Sequence, residues 1–147
     1  MLINFFITFQ IILFLYFIKT DNMSIQIVII FVLALLSVSI IDTLGPIIAN
    51  KFKFNYAYFI IFSFATYFLS GFFLSMFATA NTVLFLSGMV GFYDGTVGVE
   101  IAKRFNGYQE ADLKFIETKK NILGIISFCL ALIFGGLGRF LYTLMVG

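Results

Sequence analysis

Asp42 and Asp94 are the side chains of this sequence best placed to do chemistry, because each interrupts a strongly apolar run. An ionisable group at the centre of a spanning helix costs on the order of 3 kcal/mol or more, and such groups usually face a bundle interior or a watery cavity. Paired carboxylates, with Thr43 and Thr96 as extra oxygen ligands, would bind protons or small cations. The alternative is structural: the aspartates cap or orient neighbouring turns, and Pro46 opens a new helix.

The two aspartates stand before similar ten-residue segments. Residues 43–52 read TLGPIIANKF and residues 96–105 read TVGVEIAKRF, with Thr, Gly, Ile, Ala and Phe in matching places. Asp42 directly precedes its segment, whereas Gly95 separates Asp94 from the second one. The match indicates an internal duplication, which should be sought before a fold is assigned.

A second match follows downstream. Residues 63–71 read SFATYFLSG and residues 127–135 read SFCLALIFG, so Ser, Phe and Gly again stay in step once the second copy has a longer loop. Each unit is then a helix hairpin, formed by the second and third helices and by the fourth and fifth. Two hairpins of equal orientation are parallel repeats related by an axis along the membrane normal.

Composition identifies the class of protein. Hydrophobic residues make up 62% of the 147 and charged residues 11%, against roughly 25% charged residues in soluble domains. This predicts one integral membrane domain, residues 1–147. A spanning segment must satisfy its backbone amides internally, and the alternation typical of barrel strands is missing. The predicted fold is therefore all-α, a polytopic bundle of transmembrane helices.

Residue usage also excludes much chemistry. The chain has no histidine and a single cysteine, Cys129, so we expect no metal site, no haem and no His-based catalysis. It has no phosphate-binding loop and no dinucleotide fingerprint, so no cofactor is expected. With no catalytic motif, we predict that the protein is not an enzyme. A net charge of +2 is too small to indicate nucleic-acid binding.

Five apolar segments could cross a bilayer, for which about 20 residues are needed. The fourth reaches this length only if it continues through Asp94, which puts that carboxyl at membrane depth. We read the first segment as a retained helix because it lacks a basic start and a small-residue cleavage pattern. The predicted spans are residues 3–18, 25–45, 57–80, 82–102 and 121–146, with an amphipathic connection at about 103–120 that Gly107 breaks.

Basic residues predict the orientation. Lys51 and Lys53 follow the second segment, and five more basic residues lie between 103 and 120, whereas the opposite side offers only Lys19 in its first loop. The two basic connections should be cytoplasmic. We therefore expect a multi-pass protein of the cell (inner) membrane with its amino terminus inside and its carboxyl terminus outside.

Small residues indicate where helices approach closely. Residues 88, 91, 95 and 98 form a glycine stripe at three- and four-residue spacing, and a second glycine group precedes Arg139 in the last span. These contacts more often serve packing than ligand binding. Arg139 could pair with Asp94 or extend its side chain to the lipid headgroups. The second is favoured, because the two residues are offset along the membrane normal. The helix-packing residues are Gly88, Gly91, Gly95, Gly98 and Gly135.

Three functions fit these observations. The first is a small channel or carrier for protons, small cations or solutes that uses the paired aspartates, and its few short helices favour a homo-oligomer. The second is a non-enzymatic scaffold or accessory subunit with a membrane-protein partner. The third and weakest is an intramembrane enzyme with a carboxylate dyad. In each case membrane lipids contact the amphipathic connection.

Overall fold

The protein is described by a computed structural model covering residues 25–146, the side chains of residues 110–112 and 120–121 excepted. Every regular element in this range is helical, as predicted. The predicted first span, residues 3–18, lies outside the described residues. The elements are α1 (Ile25–Phe52), a 3-10 turn (Tyr56–Phe59), α2 (Ile60–Leu74), α3 (Ala80–Tyr93), a π-helical turn (Asp94–Gly98), α4 (Val99–Arg104) and α5 (Glu110–Val146).

Four stretches are long and apolar enough to cross a membrane: Ile25–Phe52, Tyr56–Leu74, Ala80–Arg104 and Ile122–Val146. From here on we number them, in this order, as the first to the fourth span. They fall close to the last four predicted spans. The third stretch, which carries Asp94, is the most buried of the four. Large apolar side chains on α1 and α5, such as Ile40 and Phe140, point outwards. This distribution suits a bundle whose outer surface meets lipid tails.

The helices pack most closely where glycines remove side-chain bulk. A Cβ added to Gly71 of α2 would lie 2.6 Å from the Cα atom of Gly135 in α5. The same addition at Gly91 of α3 would lie 2.9 Å from the carbonyl carbon of Ser127 in α5. Helix α5 therefore contacts both α2 and α3 backbone to backbone, as small residues allow at transmembrane interfaces.

The two basic connections lie at the same end of the bundle. The Asn50 side chain at the end of α1 donates hydrogen bonds to the carbonyl oxygens of Phe105 (3.1 Å) and Asn106 (3.2 Å). The rings of Tyr56 and Tyr108 meet edge to face at 5.5 Å. We call this end of the molecule, where residues 53–55 and 105–109 connect the spans, the loop end.

Two sequence-based expectations differ from the structure. Pro46 does not open a new helix, because α1 continues through it to Phe52. The connection between the third and fourth spans is also shorter than residues 103–120, since α5 already begins at Glu110 and kinks at Lys119 (φ −113°, ψ 15°). Gly107 does lie in the break between α4 and α5. The tandem repeat stays a prediction.

The Gly71–Gly135 crossing should control stability. Gly71→Ala forces a methyl group into the backbone of α5, and overpacking of this kind costs about 1–3 kcal/mol. We expect a lower midpoint of thermal unfolding in detergent, followed by circular dichroism. The matched control is Gly136→Ala, where the nearest atom to an added Cβ is Leu84 Cδ2 at 3.6 Å. Equal midpoints for the two variants would contradict the packing described.

Candidate functional site

The carboxyl groups of Asp42 and Asp94 meet inside the bundle, although 51 residues separate them in the chain. Their side chains interact directly, and Gly98 lies against both. A Cβ added to Gly98 would overlap Asp42 Oδ2 and lie 2.9 Å from Asp94 Oδ1. Asp42 is 3% exposed and Asp94 is partly buried. The two carboxyl groups have four oxygen atoms. We call Asp42 Oδ2 and Asp94 Oδ1, which lie beside Gly98, the inner oxygens, and Asp42 Oδ1 and Asp94 Oδ2 the outer oxygens.

Each outer oxygen accepts a hydrogen bond from a tyrosine of the second span. The Tyr56 hydroxyl donates to Asp42 Oδ1 at 2.7 Å, and the Tyr67 hydroxyl donates to Asp94 Oδ2. Ser63, one helical turn before Tyr67, lines the same cavity as Asp94. Because Tyr67 is 2% exposed, its hydroxyl needs a partner within the protein. The second span thus holds both carboxyls in place.

The backbone is irregular beside both aspartates. Proline has no N–H, so Pro46 donates no helical hydrogen bond to the carbonyl oxygen of Asp42, four residues earlier. At Asp94 the helix widens into a π-helical turn, in which the Val99 N–H bonds to the Asp94 carbonyl five residues earlier. Single π turns inside α-helices occur frequently at functional sites. Both aspartates therefore stand at positions where the regular helical pattern is interrupted.

The two threonines predicted as oxygen ligands are used within their own helices. The Thr43 hydroxyl donates to the carbonyl oxygen of Ser39 at 2.7 Å, and the Thr96 hydroxyl donates to that of Phe92 at 2.6 Å. Hydroxyls inside helices commonly bond back to the carbonyl four residues earlier. The structure thus brings Asp42 and Asp94 together, and neither threonine hydroxyl joins them.

A cavity of about 240 Å³ lies beside the carboxyl pair. Both aspartates line it, together with Tyr56, Tyr67 and Ser127, and apart from the aspartates no lining side chain carries a charge. A larger cavity of about 520 Å³ lies next to it at the loop end and shares the lining residues Tyr56, Ala57, Val99 and Tyr108. The carboxyl pair is therefore adjacent to space that extends towards the membrane surface.

The predicted glycine stripe faces two different neighbours. Added Cβ atoms at Gly88, Gly91 and Gly95 would meet α5, at Phe128, Ser127 and Leu123 respectively. Gly98, in contrast, lies against the carboxyl pair. The stripe thus fixes the third span against α5 and, at its last glycine, leaves room for the two aspartates to meet.

Basic side chains lie away from the site. In the described part of the chain the one ion pair joins Lys103 to Glu117 at 2.5 Å, and none joins Arg139 to Asp94. Hydrogen bonding to Lys103 holds the pKa of the exposed Glu117 below its usual range. Among the side chains that the structure describes, no group of three or more acidic, cysteine or histidine residues is able to hold a metal ion. Cys129 is exposed on the outer surface of the bundle.

Sequence reasoning missed the two tyrosines that bond to the aspartates. Tyr67 has a recognisable signal in hindsight, because Ser63, Tyr67 and Ser70 recur at four- and three-residue spacing along one face of an otherwise apolar helix, and all three are buried. Tyr56 has no comparable signal in the sequence.

Comparisons of this chain with protein-family models, with curated proteins and with solved structures give no match.

The tyrosine contacts give a stability prediction. Tyr67→Phe keeps the ring and removes the donor to Asp94, and leaving a buried acceptor unpaired costs about 1–3 kcal/mol. We expect a lower thermal unfolding midpoint in detergent. Tyr58→Phe is the matched control, since Tyr58 is 70% exposed and its midpoint should stay at the wild-type value. The assigned role of Tyr67 is wrong if both variants unfold like the wild type.

Proposed function

We propose that the protein is a small multi-pass membrane transporter, a channel or carrier for protons or small cations, whose binding site is the Asp42–Asp94 pair. The observation that carries the proposal is the direct meeting of two carboxyl groups within a bundle of membrane-spanning helices. Acidic groups at this depth are costly and mark ion pathways and proton relays. A purely structural use of one aspartate as a helix cap would need no second carboxyl beside it.

The adjoining cavities support access to the pair from the loop end. An ion that enters the 520 Å³ cavity passes residues without charge, among them Asn50, Asn106 and Gln109. Tyr56 and Tyr108 stand between this space and the carboxyls, since both line the two cavities. The Tyr56 hydroxyl donates a hydrogen bond to Asp42. A change in the charge of the pair therefore changes a hydrogen bond of a residue at this boundary. We propose that the loop end is cytoplasmic, because Lys51, Lys53 and Arg104 lie within or next to its two connections.

The proposed duplication gains support from contacts between matching positions. Gly71 and Gly135, which correspond in the downstream match, touch at the crossing of α2 and α5. Ser63 and Ser127, which also correspond, both line the smaller cavity. Copies related by an axis along the membrane normal bring matching residues together near that axis. The aspartates meet in the same way.

An intramembrane hydrolase is the second candidate, favoured by the same contact, because adjacent carboxyls sharing a proton form the acid–base pair of aspartic proteases. A hydrolytic pair must present oxygens to a water molecule and to the substrate. Here the outer oxygens accept hydrogen bonds from tyrosine hydroxyls, and both inner oxygens lie against Gly98. This arrangement favours ion binding over hydrolysis, and we propose a non-enzymatic protein.

Flux through liposomes tests the proposal. Purified wild-type protein should carry protons or small cations down an imposed gradient, and Asp94→Asn should reduce the flux to that of protein-free liposomes, since an amide is not ionised. Flux is read with a pH-sensitive dye and with ion-selective dyes inside the vesicles.

Glu117→Gln is the matched control for this experiment. It also removes one carboxylate, but an exposed one that pairs with Lys103 outside the cavity, and its flux should equal that of the wild type. Circular dichroism must show that all three proteins are folded. Absence of flux from the folded wild type would refute transport and favour a scaffold or accessory subunit.

A further inference from the structure

One inner oxygen of the carboxyl pair, that of Asp42, lacks a hydrogen-bond donor. Asp42 Oδ2 is buried, and no described group donates a hydrogen bond to it. The polar group beside it is the Asp94 carboxyl, which accepts hydrogen bonds but donates none when it is ionised. Two ionised carboxylates at this contact would leave Asp42 Oδ2 unpaired and two like charges adjacent. Both penalties vanish if one carboxyl carries a hydrogen.

In the described part of the chain, no positively charged side chain lines the cavity beside the pair. The titratable groups that face it are Tyr56 from the 3-10 turn, Tyr67 from α2 and Tyr108 from the connection before α5. Tyrosines are neutral at pH 7. The elements α4 and α5 contribute Val99, Ser127 and Leu130 to the same cavity. With no cation among these groups, a bound proton or metal ion must supply the neutralising charge.

The surroundings fit a proton better than a metal ion. Hard cations such as Ca²⁺ and Mg²⁺ take about six or more oxygen ligands. The nearby hydroxyls of Tyr56 and Tyr67 direct hydrogens, and not lone pairs, at the carboxyls. Thr43 and Thr96 bond to their own helices. Beside the inner oxygens, Gly98 fills the space so closely that even a methyl group would overlap Asp42 Oδ2.

From this geometry we infer that Asp42 and Asp94 share a single proton through an O–H···O hydrogen bond between their inner oxygens, and that H⁺ is the transported ion. The second part rests on the proposed transport function. The loaded pair carries a net charge of −1. Release of the proton through the adjoining cavity leaves two carboxylates at −2, and rebinding restores the pair. No other group gains or loses charge.

Infrared spectroscopy tests the shared proton without any need for transport. Wild-type protein in lipid at pH 7 should show a C=O stretching band of a protonated carboxyl. In Asp42→Asn the amide donates to Asp94, which stays ionised, so the band should disappear, and it should persist in Glu117→Gln. Absence of the band from the wild type, or its persistence in both Asp42→Asn and Asp94→Asn, would overturn the inference.

Ion selectivity tests the second part on the wild type alone. Vesicles with a pH gradient should acidify or alkalinise, whereas Na⁺ and K⁺ gradients should give no flux above that of protein-free vesicles. Asp94-dependent Na⁺ or K⁺ flux would keep the proposed transport function and overturn proton selectivity. A protonated carboxyl band with no flux of any ion would refute transport and support the shared proton.

Discussion

The contact between two carboxyl groups inside a membrane-spanning bundle is the constraint on which the other features of the structure depend. In a low-dielectric interior, unpaired charges and unpaired polar atoms are both costly. The second span provides two tyrosine hydroxyls, each of which donates a hydrogen bond to one outer oxygen. Gly98 has no side chain, which leaves room beside it for one oxygen of each carboxyl.

The helices that carry the aspartates reach this contact by different backbone routes. Helix α1 continues through Asp42 and Pro46 and lacks only the hydrogen bond that Pro46 cannot donate, whereas the third span widens into a π turn from Asp94 to Gly98. A π turn holds one residue more than an α turn. The extra residue agrees with the sequence, where Gly95 stands between Asp94 and the threonine that directly follows the aspartate in the first copy. Under the proposed duplication, the π turn absorbs a one-residue insertion and leaves the helix on either side intact.

The sequence predicts the last four spans well, because continuous apolar runs of sufficient length have few alternatives in a chain of this composition. It also predicts that the two basic connections share one end, since two crossings return the chain to the same side. The ligands around the aspartates are harder to predict. Tyr56 and Tyr67 stand among aromatic residues that occur in every apolar run, and only the packing of the second span against the others selects them. The hydroxyls of Thr43 and Thr96 are satisfied locally, a competition that residue type alone does not reveal.

A duplicated hairpin offers a simple physical route to a carboxyl pair. Consider a hairpin that carries one aspartate on the face that lies against an axis. When the hairpin is duplicated and the two copies pack around that axis, the two aspartates meet. A costly single charge then becomes a pair that one proton can bridge. The contacts Gly71–Gly135 and Asp42–Asp94 have this character. The tyrosines break the equivalence, because Tyr67 bonds to Asp94 while its counterpart in the second copy is Ala131, a fully buried methyl side chain. The two carboxyls therefore differ in their surroundings, so the two positions that a proton between them could occupy are not equivalent.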